Sequence, residues 1–382
     1  MKKYIIILAI ALFIYIIGLG FYLTVKGPQS DFIKNEPINN IKIGFIAPLT
    51  GEASNVGTTL LNVAELTIKE IENDKREQQF QLIVEDGKCS PKDAVSAVQK
   101  LISVDQVNII IFGGCSGEVL AAAPLIDEHQ VIGIATIAGS PDISQAGDYL
   151  FRLSLSDDRQ SEFVANHITK QGFKRVAVIS ENTDYSQALR NSFKSSVDNK
   201  IIVADELYNT SDTDFQTLLT KVKSKKPEAI FIIPGGALTT TGLLTKEIYE
   251  LGIKSQLYGT DQFTFDDLIN DYSQYYQGMI LAEAKFDPSN AAAKRLFEKY
   301  QETYSEKCSM GLFCATTHDA LLLVKEAIDK CGSDNKTDCI KNYLYSIQAK
   351  AMTSGDLTID ENGDAQFEFE FKKINGNESV KL

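Results

Sequence analysis

Residues 108–118 read Asn108-Ile-Ile-Ile-Phe-Gly-Gly-Cys-Ser-Gly-Glu118, a short apolar run followed by a glycine turn. The run of four apolar residues shows no alternation with polar ones, which is typical of a strand covered on both faces. The two glycines allow a sharp turn, and a helix is predicted to follow. This unit would place free N–H groups and the Ser116 hydroxyl at the carboxyl end of a parallel sheet. Open α/β sheets bind ligands at that edge, and a helix N-terminus favours an anion such as a carboxylate; an ordinary βα connection without a ligand is the alternative.

Strand-like and helix-like segments alternate on both sides of this stretch. Before it come an apolar run at 41–48, a helix with buried-face spacing at 60–71, a strand at 80–85 and a helix from 91. A further strand follows at 131–137, and a second series of the same plan runs from about 161 to 260. Such alternation implies right-handed βαβ units. The predicted fold class is α/β, with two doubly wound parallel-sheet lobes.

The C-terminal part suggests that the chain returns to both lobes. Residues 291–304 and 316–330 resemble amphipathic helices, and 360–363 predict a hairpin turn between strands at 357–359 and 367–371. Several crossings make a hinge, and hinges permit closure around a ligand. The predicted organisation is lobe 1 at 41–154, lobe 2 at 155–281, a return to lobe 1 at 282–353, and a return to lobe 2 with a C-terminal hairpin at 354–382.

Composition is that of a globular protein. The chain has 382 residues, enough for two domains of ordinary size. Its formal net charge of -13 argues against nucleic-acid binding, which needs clustered Lys and Arg. The acidic residues form no long single-sign run, so they predict a solvated surface.

The N-terminus predicts a membrane anchor. Residues 4–25 carry no charge and follow two lysines, and such a run spans a hydrocarbon core of roughly 30 Å. We expect residues 1–28 to form an uncleaved transmembrane helix and 29–40 a linker, with the body facing outside the cell or in the periplasm. A cleaved signal peptide is the alternative, although no Ala-x-Ala site and no following lipid-bearing Cys support it.

The six cysteines agree with an exported body, where disulfides form. Fifteen pairings are possible in principle. Sequence neighbourhood suggests two short clips and leaves one longer loop, namely Cys308–Cys314, Cys331–Cys339 and Cys89–Cys115. A zinc site is the rival interpretation, but the chain has no C-x-x-C pair and its three histidines are scattered.

Catalytic motifs are weak or missing. Ser116 lies in a sequence near a nucleophile elbow, but Glu118 occupies the position of the second glycine, and a triad would have to use His318. Phosphate-binding, dinucleotide-binding and zinc-protease motifs are absent from the sequence. His129, His167 and His318 are interpreted as surface or satisfied core residues. We therefore predict no enzyme, no catalytic residue, no metal and no cofactor.

Polar groups instead follow several predicted strands. They are Ser116, the turn at 136–140, Tyr185, the turn at Gly236 and Asp261. A zwitterion needs donors for its carboxylate and an acid for its ammonium group. Ser116 with turn N–H groups could serve the first and Asp261 the second, unless Asp261 is only a solvated turn residue.

Several motifs in fixed order point to a family: Ile43-Gly-Phe-Ile-Ala-Pro-Leu-Thr-Gly51, Glu85-Asp-Gly-Lys-Cys-Ser-Pro-Lys-Asp-Ala94, Gly113-Gly-Cys-Ser116, Asp184-Tyr185, Tyr258-Gly-Thr-Asp261 and Gly355-Asp-Leu-Thr-Ile-Asp-Glu-Asn-Gly363. With them, residues from about 41 to 371 resemble the type I periplasmic binding proteins of the leucine/isoleucine/valine class. These proteins deliver amino acids to ATP-driven importers. The family's inter-element disulfide falls on Cys89 and Cys115, which supports that pairing.

The resemblance also implies roles for individual residues. Ser116 resembles the hydroxyl that holds the ligand carboxylate, Tyr185 a cleft tyrosine of the second lobe, and Asp261 the acid that receives the ammonium group. The family's carboxylate-binding Thr aligns with Gly139, so Thr136 or Ser140 would have to substitute. Its other two aromatic walls align with smaller residues, which suggests a wider pocket or a different ligand. The expected ligand-binding set is Val56, Cys115, Ser116, Thr136, Ala138, Gly139, Ser140, Tyr185, Ala237 and Asp261.

These observations predict a membrane-anchored extracytoplasmic solute-binding protein of an ABC-type importer. Its lobes would close on a small amino acid-like ligand and present a surface to a membrane permease. A sensory or regulatory ligand-binding module is the main alternative, but only three residues precede the anchor, which favours transport. An exported Ser hydrolase is the third interpretation.

Overall fold

The computed structural model describes residues 39–74 and 78–382, together with Leu12. Residues Asn40–Leu382 form one compact unit. No helix in the described residues is long and apolar enough to cross a membrane. The predicted anchor at 4–25 falls, but for Leu12, outside the described ranges.

The first sheet has five strands in the order β2-β1-β3-β4-β5, and its pairs β1–β3, β3–β4 and β4–β5 are parallel. The short strands β3 and β4 are completely buried, as their unbroken apolar sequence predicts. The five strands are β1 (Asn39–Ala47), β2 (Gln78–Asp86), β3 (Ile109–Phe112), β4 (Ile132–Ala135) and β5 (Leu150–Arg152). Three helices connect them: α1 (Ser54–Asp74), α2 (Pro91–Ser103) and α3 (Ser116–Glu128).

The second sheet has seven strands in the order β14-β13-β10-β9-β8-β6-β7. Its central pairs are parallel, and two antiparallel strands extend one edge. The strands are β6 (Val176–Glu181), β7 (Ile202–Tyr208), β8 (Ala229–Ile233), β9 (Gln256–Thr260), β10 (Ile280–Ala284), β13 (Phe369–Asn375) and β14 (Glu378–Lys381). The helices of this lobe are α4 (Asp157–Lys170), α5 (Asp184–Ser196), α6 (Gln216–Ser224), α7 (Leu238–Glu250) and α8 (Asp266–Tyr272). These two sheets confirm the predicted α/β class with parallel-sheet lobes.

Three further helices return to the first lobe, where α9 and α10 pack against α1 and α11 packs against α10. They are α9 (Ala291–Tyr304), α10 (Gly311–Cys331) and α11 (Thr337–Tyr345). A two-stranded hairpin follows, made of β11 (Lys350–Met352) and β12 (Gly355–Leu357).

The chain therefore passes between the sheets three times: between β5 and α4, between β10 and α9, and just before β13. The last two crossings lie later than the sequence suggested, near 285–290 and 366–368 rather than at 282 and 354. The third is displaced because Asp364 is still bonded to Arg152 at the end of β5. The predicted turn at 360–363 is formed, and Ile359 pairs with Ala365 beside it. The hairpin does not extend to 367–371, because β13 pairs with β10 and β14 instead.

The three predicted disulfides, Cys89–Cys115, Cys308–Cys314 and Cys331–Cys339, are all formed. The first joins the turn after β2 to the turn after β3, two neighbouring connections at one sheet edge. It therefore fixes the turn after β3, which lines the candidate site, to the turn after β2.

Candidate ligand-binding cleft

The buried carboxylate of Glu118 accepts hydrogen bonds that hold the turn between β3 and α3 in place. Glu118 Oε2 accepts a hydrogen bond from the N–H of Cys115 at 2.6 Å, and Oε1 accepts one from the N–H of Cys89 at 3.1 Å. A Cβ atom at Gly114 would lie 2.1 Å from Glu118 Oε2, so only glycine fits there. Glu118, which occupies the position of the second glycine of a nucleophile elbow, thus holds the turn in place.

Ser116 is the first residue of α3 and directly follows the turn that Glu118 holds. Its side chain is buried. Its Oγ accepts a hydrogen bond from the N–H of Ser140 at 3.1 Å, which connects the turns after β3 and β4. Because Oγ is an acceptor in this contact, its own hydrogen is free to be donated elsewhere. Together with the N–H groups of the first helical turn, this hydroxyl makes a site for an anion.

A cleft opens in front of Ser116, between the two lobes. Its first wall comes from the loops after β1, β3 and β4 and consists of Pro48, Ala53, Val56, Gly114, Cys115, Ser116, Ile137, Ala138 and Gly139. Its second wall comes from the other lobe and consists of Tyr185, Gly235, Gly236, Leu238, Gln262 and Phe265.

A smaller pocket adjoins this cleft and shares five lining residues with it. Asp261 lines this smaller pocket. Asp261 follows β9 and accepts a hydrogen bond from Gln160 Nε2 at 3.3 Å, while the same Nε2 donates to the Ala282 carbonyl at 2.7 Å. Burial raises the pKa of the Asp261 carboxyl to about 6, and the nearby Glu283 charge adds to the rise. A buried acid is costly to ionise alone, so a cationic ligand group beside it stabilises its ionised form.

The walls also touch each other across the cleft. Asn55 Nδ2, in the first lobe, lies 3.2 Å from Asp267 Oδ2 and 3.4 Å from Oδ1, in the second lobe. These contacts join the two lobes beside the cleft.

None of the described residues that line the two pockets is Lys, Arg or His. A ligand anion there would depend on hydroxyl and N–H groups rather than on a cationic side chain. The remaining lining is mostly apolar, which suits a ligand with an uncharged body.

The predicted ligand-binding residues divide into two groups. Those that line the larger cleft are Val56, Cys115, Ser116, Ala138, Gly139 and Tyr185, and Asp261 lines the smaller pocket. Thr136, Ser140 and Ala237 do not line either pocket.

Each of these three exceptions has a structural cause. Thr136 Oγ1 is turned into the lobe, where Thr317 of α10 donates to it at 2.9 Å. Ser140 lies beneath Ser116, and its carbonyl accepts from Arg152 Nη1 at 2.7 Å. Ala237 is buried at the start of α7, and only its neighbours Gly236 and Leu238 face the cleft.

Sequence reasoning missed Gln262 and Phe265, which line both pockets, and Arg152, which supports one wall. Gln262 directly follows Asp261 in the chain, so its neighbour could have indicated it. Arg152 gives no such signal, because an arginine at the end of a short strand is ordinarily exposed.

The three histidines lie outside the two pockets. His318 is buried with Nδ1 2.8 Å from Thr353 Oγ1. Burial alone would lower the pKa of His318, but hydrogen bonds and charges from Asp319 and Glu70 outweigh burial and raise it. His167 is partly buried with its Nδ1 3.1 Å from the Tyr258 hydroxyl, and His129 is exposed.

The second lobe contains a buried carboxylate that accepts hydrogen bonds from the backbone of a turn, as Glu118 does in the first lobe. Glu181, the last residue of β6, is buried, and its Oε2 accepts from the N–H of Gly235 at 2.6 Å and of Ala237 at 3.4 Å. Burial raises the pKa of Glu118 and of Glu181 to about 7, against the opposing effect of these N–H donors. A charged neighbour contributes in both cases, Asp86 for Glu118 and Glu52 for Glu181.

The raised pKa values of Glu118 and Glu181 predict that the stability of the fold depends on pH. Their pKa values are higher in the folded than in the unfolded chain, so the stability that they contribute is present at pH values below the unfolded pKa and is lost as pH rises through about 7. Between pH 5.5 and 8.5 we expect each to reduce the free energy of unfolding by on the order of 1 kcal/mol. Urea denaturation at both pH values measures the loss.

The matched variants are Glu118→Gln and Glu181→Gln, which cannot titrate but keep a hydrogen-bond acceptor. Each is expected to lose less stability than the original chain over the same pH interval. Equal losses in all three proteins would contradict the assignment.

The chain is similar to known proteins over most of its length. The sequence profile of the family described as periplasmic binding protein matches residues 40–376. The Leu/Ile/Val-binding protein homolog 3 of Brucella melitensis is 26% identical over 332 residues, 85% of this chain and 88% of that protein. The leucine-, isoleucine-, valine-, threonine- and alanine-binding protein of Pseudomonas aeruginosa is 24% identical over 344 residues, 87% of this chain and 89% of that protein. The crystal structure of the branched-chain amino acid transporter substrate-binding protein LivJ from Streptococcus pneumoniae, in complex with isoleucine, has a TM-score of 0.78 and 25% identity, and the match covers 90% of this chain and 100% of that one.

Proposed function

Since this chain belongs to the periplasmic binding protein family, we propose that it is the solute-binding component of an ABC-type importer and that it binds a small amino acid. The relatives are binding proteins and not enzymes, which agrees with the prediction of a chain without catalysis. All three of these relatives are named for branched-chain amino acids, and one of them also for threonine and alanine.

One observation carries the proposal: the cleft has opposite chemistries on its two sides. The first wall offers the Ser116 hydroxyl and the N-terminus of α3, which suit a carboxylate. The second lobe offers Asp261, which suits an ammonium group. An apolar lining without cationic residues lies between them. The α-carboxylate and α-ammonium groups of an amino acid match these two ends.

Closure of the lobes would complete the site. The three crossings act as the hinge, and the approach of Asn55 to Asp267 belongs to the closed state. In that state the ligand is screened from water, which strengthens its contacts with Ser116 and Asp261. The closed pair of lobes presents a surface that a membrane permease can distinguish from the open one.

We place the body outside the cytoplasm and assign the apolar segment 4–25 to membrane attachment. The disulfides are consistent with an oxidising compartment. A cleaved and secreted form is the lesser alternative.

A thermal-shift screen of the full chain in mild detergent tests the proposal. At 100 times its dissociation constant, a ligand adds about 2.7 kcal/mol to stability, so one or more amino acids should raise Tm clearly. Ser116→Ala should weaken binding about tenfold, because a hydrogen bond to a charged group is lost.

The control for that variant is Ser195→Ala, which removes an exposed serine hydroxyl of α5 that donates only to the carbonyl one turn earlier. It should leave the Tm shift unchanged. A screen in which no amino acid shifts Tm would refute the amino acid assignment, and sugars and carboxylic acids would then be the next candidates.

A further inference from the structure

Gln262 lies where the two pockets meet. It follows Asp261 in the short helix after β9 and lines both the larger cleft and the smaller pocket. Asp261, in contrast, lines only the smaller one. The amide of Gln262 is therefore placed to contact a part of the ligand other than the group that Asp261 binds.

The amide oxygen of Gln262 is buried and has no hydrogen-bond partner among the described residues. A buried acceptor without a partner costs stability, and the cost is removed when a donor arrives. Since this oxygen belongs to a side chain that lines the cleft, a ligand bound there can supply that donor.

The other polar side chains of the larger cleft have different partners. Ser116 already accepts from the N–H of Ser140, and its remaining hydrogen suits a carboxylate. Tyr185 also has an interaction of its own. Gln262 is the polar side chain of this wall whose acceptor has no hydrogen-bond partner among the described residues. It lines both pockets together with apolar or small residues such as Ile137 and Phe265.

We propose that Gln262 is a specificity determinant that favours amino acids whose side chain carries a hydrogen-bond donor, such as threonine or asparagine, over purely aliphatic ones. This inference rests on the proposed function. The ligand carboxylate lies at Ser116, the ammonium group at Asp261, and the side chain extends along the larger cleft, where its hydroxyl or amide donates to Gln262 Oε1. A site with a polar group that must be satisfied discriminates against the analogue that lacks the donor.

Threonine and valine form a matched pair for the test, because their side chains have the same branched shape and differ by a hydroxyl in place of a methyl group. Isothermal titration calorimetry of the full chain with each amino acid should show threonine binding at least about tenfold more tightly. Gln262→Met keeps the length of the side chain and removes its hydrogen-bonding atoms. It should abolish the preference by weakening threonine and not valine.

Two further variants check this comparison of threonine with valine. Gln262→Leu is a second apolar replacement with a different shape and should give the same change in the threonine-to-valine ratio. Gln301→Leu alters an exposed glutamine of α9 and should leave the ratio unchanged. The Tm of each unliganded variant verifies that it folds.

The remaining outcomes overturn the inference in different ways. If Gln262→Met weakens threonine and valine equally, the amide contacts the ammonium group that both share, and the specificity role is wrong while the binding function stands. If the original chain prefers valine, or if the ratio survives both Gln262 variants, Gln262 does not select the ligand. If the original chain binds no amino acid, the proposed function fails first and this inference with it.

Discussion

Asp261→Asn is expected to weaken the binding of an amino acid by about 100-fold or more. Asp261 is the acidic side chain among the described residues lining the two pockets, and it lies opposite the carboxylate site at Ser116. Removing one partner of a desolvated, hydrogen-bonded charge pair costs roughly 2–5 kcal/mol, much of which is the cost of leaving the other charge buried. Calorimetric titration at pH 8 measures the loss. Asp271→Asn, at an exposed position of α8, is the control that should bind normally.

The same carboxylate predicts how affinity depends on pH. Burial raises the pKa of Asp261 to about 6 in the free protein, and a bound ammonium group favours the ionised form. Binding below pH 6 must therefore first expel a proton. Affinity should be constant above about pH 7 and fall by about tenfold per unit below pH 6.

Asp261→Asn should bind weakly at every pH, without that slope. An affinity of the original chain that is equal at pH 5 and pH 8 would show that no ionised Asp261 contacts the ligand.

Asp364→Ala is expected to destabilise the fold by about 3–5 kcal/mol. Arg152 is completely buried, and Asp364 binds it through both carboxylate oxygens, with Nε–Oδ1 at 2.9 Å and Nη2–Oδ2 at 2.5 Å. The guanidinium also donates to the Ser140 carbonyl and to Ser144 Oγ, each at 2.7 Å. Loss of Asp364 leaves the arginine charge buried without a counter-ion.

The Arg152–Asp364 ion pair also supports one wall of the cleft. It joins the segment before the third crossing to the turn after β4, which contains Gly139 of the cleft wall and the Ser140 N–H that holds Ser116. A destabilised Asp364→Ala protein should therefore also bind its ligand less tightly, even at temperatures where it remains folded.

Urea denaturation measures the stability change, with Glu368→Gln as the control. Glu368 pairs with Lys285 at 2.9 Å, but both side chains are exposed, and such pairs contribute about 0–1 kcal/mol. The double variant Arg152→Met/Asp364→Ala should recover part of the loss, because it removes the stranded charge. A double variant no more stable than Asp364→Ala would mean that the uncompensated charge is not the cause.

Much of the architecture could be predicted from local sequence. Buried parallel strands are recognisable because each is a short unbroken apolar run, and the helices between them repeat apolar residues at 3.6-residue spacing. The pairing of Cys308 with Cys314 and of Cys331 with Cys339 followed from short sequence separation, since short loops bring such partners together.

The site could be predicted in part. Ser116 and Asp261 follow strands directly, and the carboxyl ends of parallel strands converge on one edge, so their approach to the cleft was foreseeable. Thr136 satisfies the same rule and yet faces away, because Thr317, which is 181 residues later, draws its hydroxyl into the lobe. Strand ends define the location of a site, but not the direction of each side chain.

Local sequence predicts the two α/β lobes, the strand ends that carry the candidate ligand groups and the two short disulfides, because these depend on periodicity and on neighbours in the chain. Tertiary packing sets which of those side chains enter the cleft, where Gln262 lies between its two pockets, and where the third crossing begins after Asp364. A buried polar group needs a partner, and the charged partner of Arg152 is 212 residues away. No local pattern specifies a choice made across that distance.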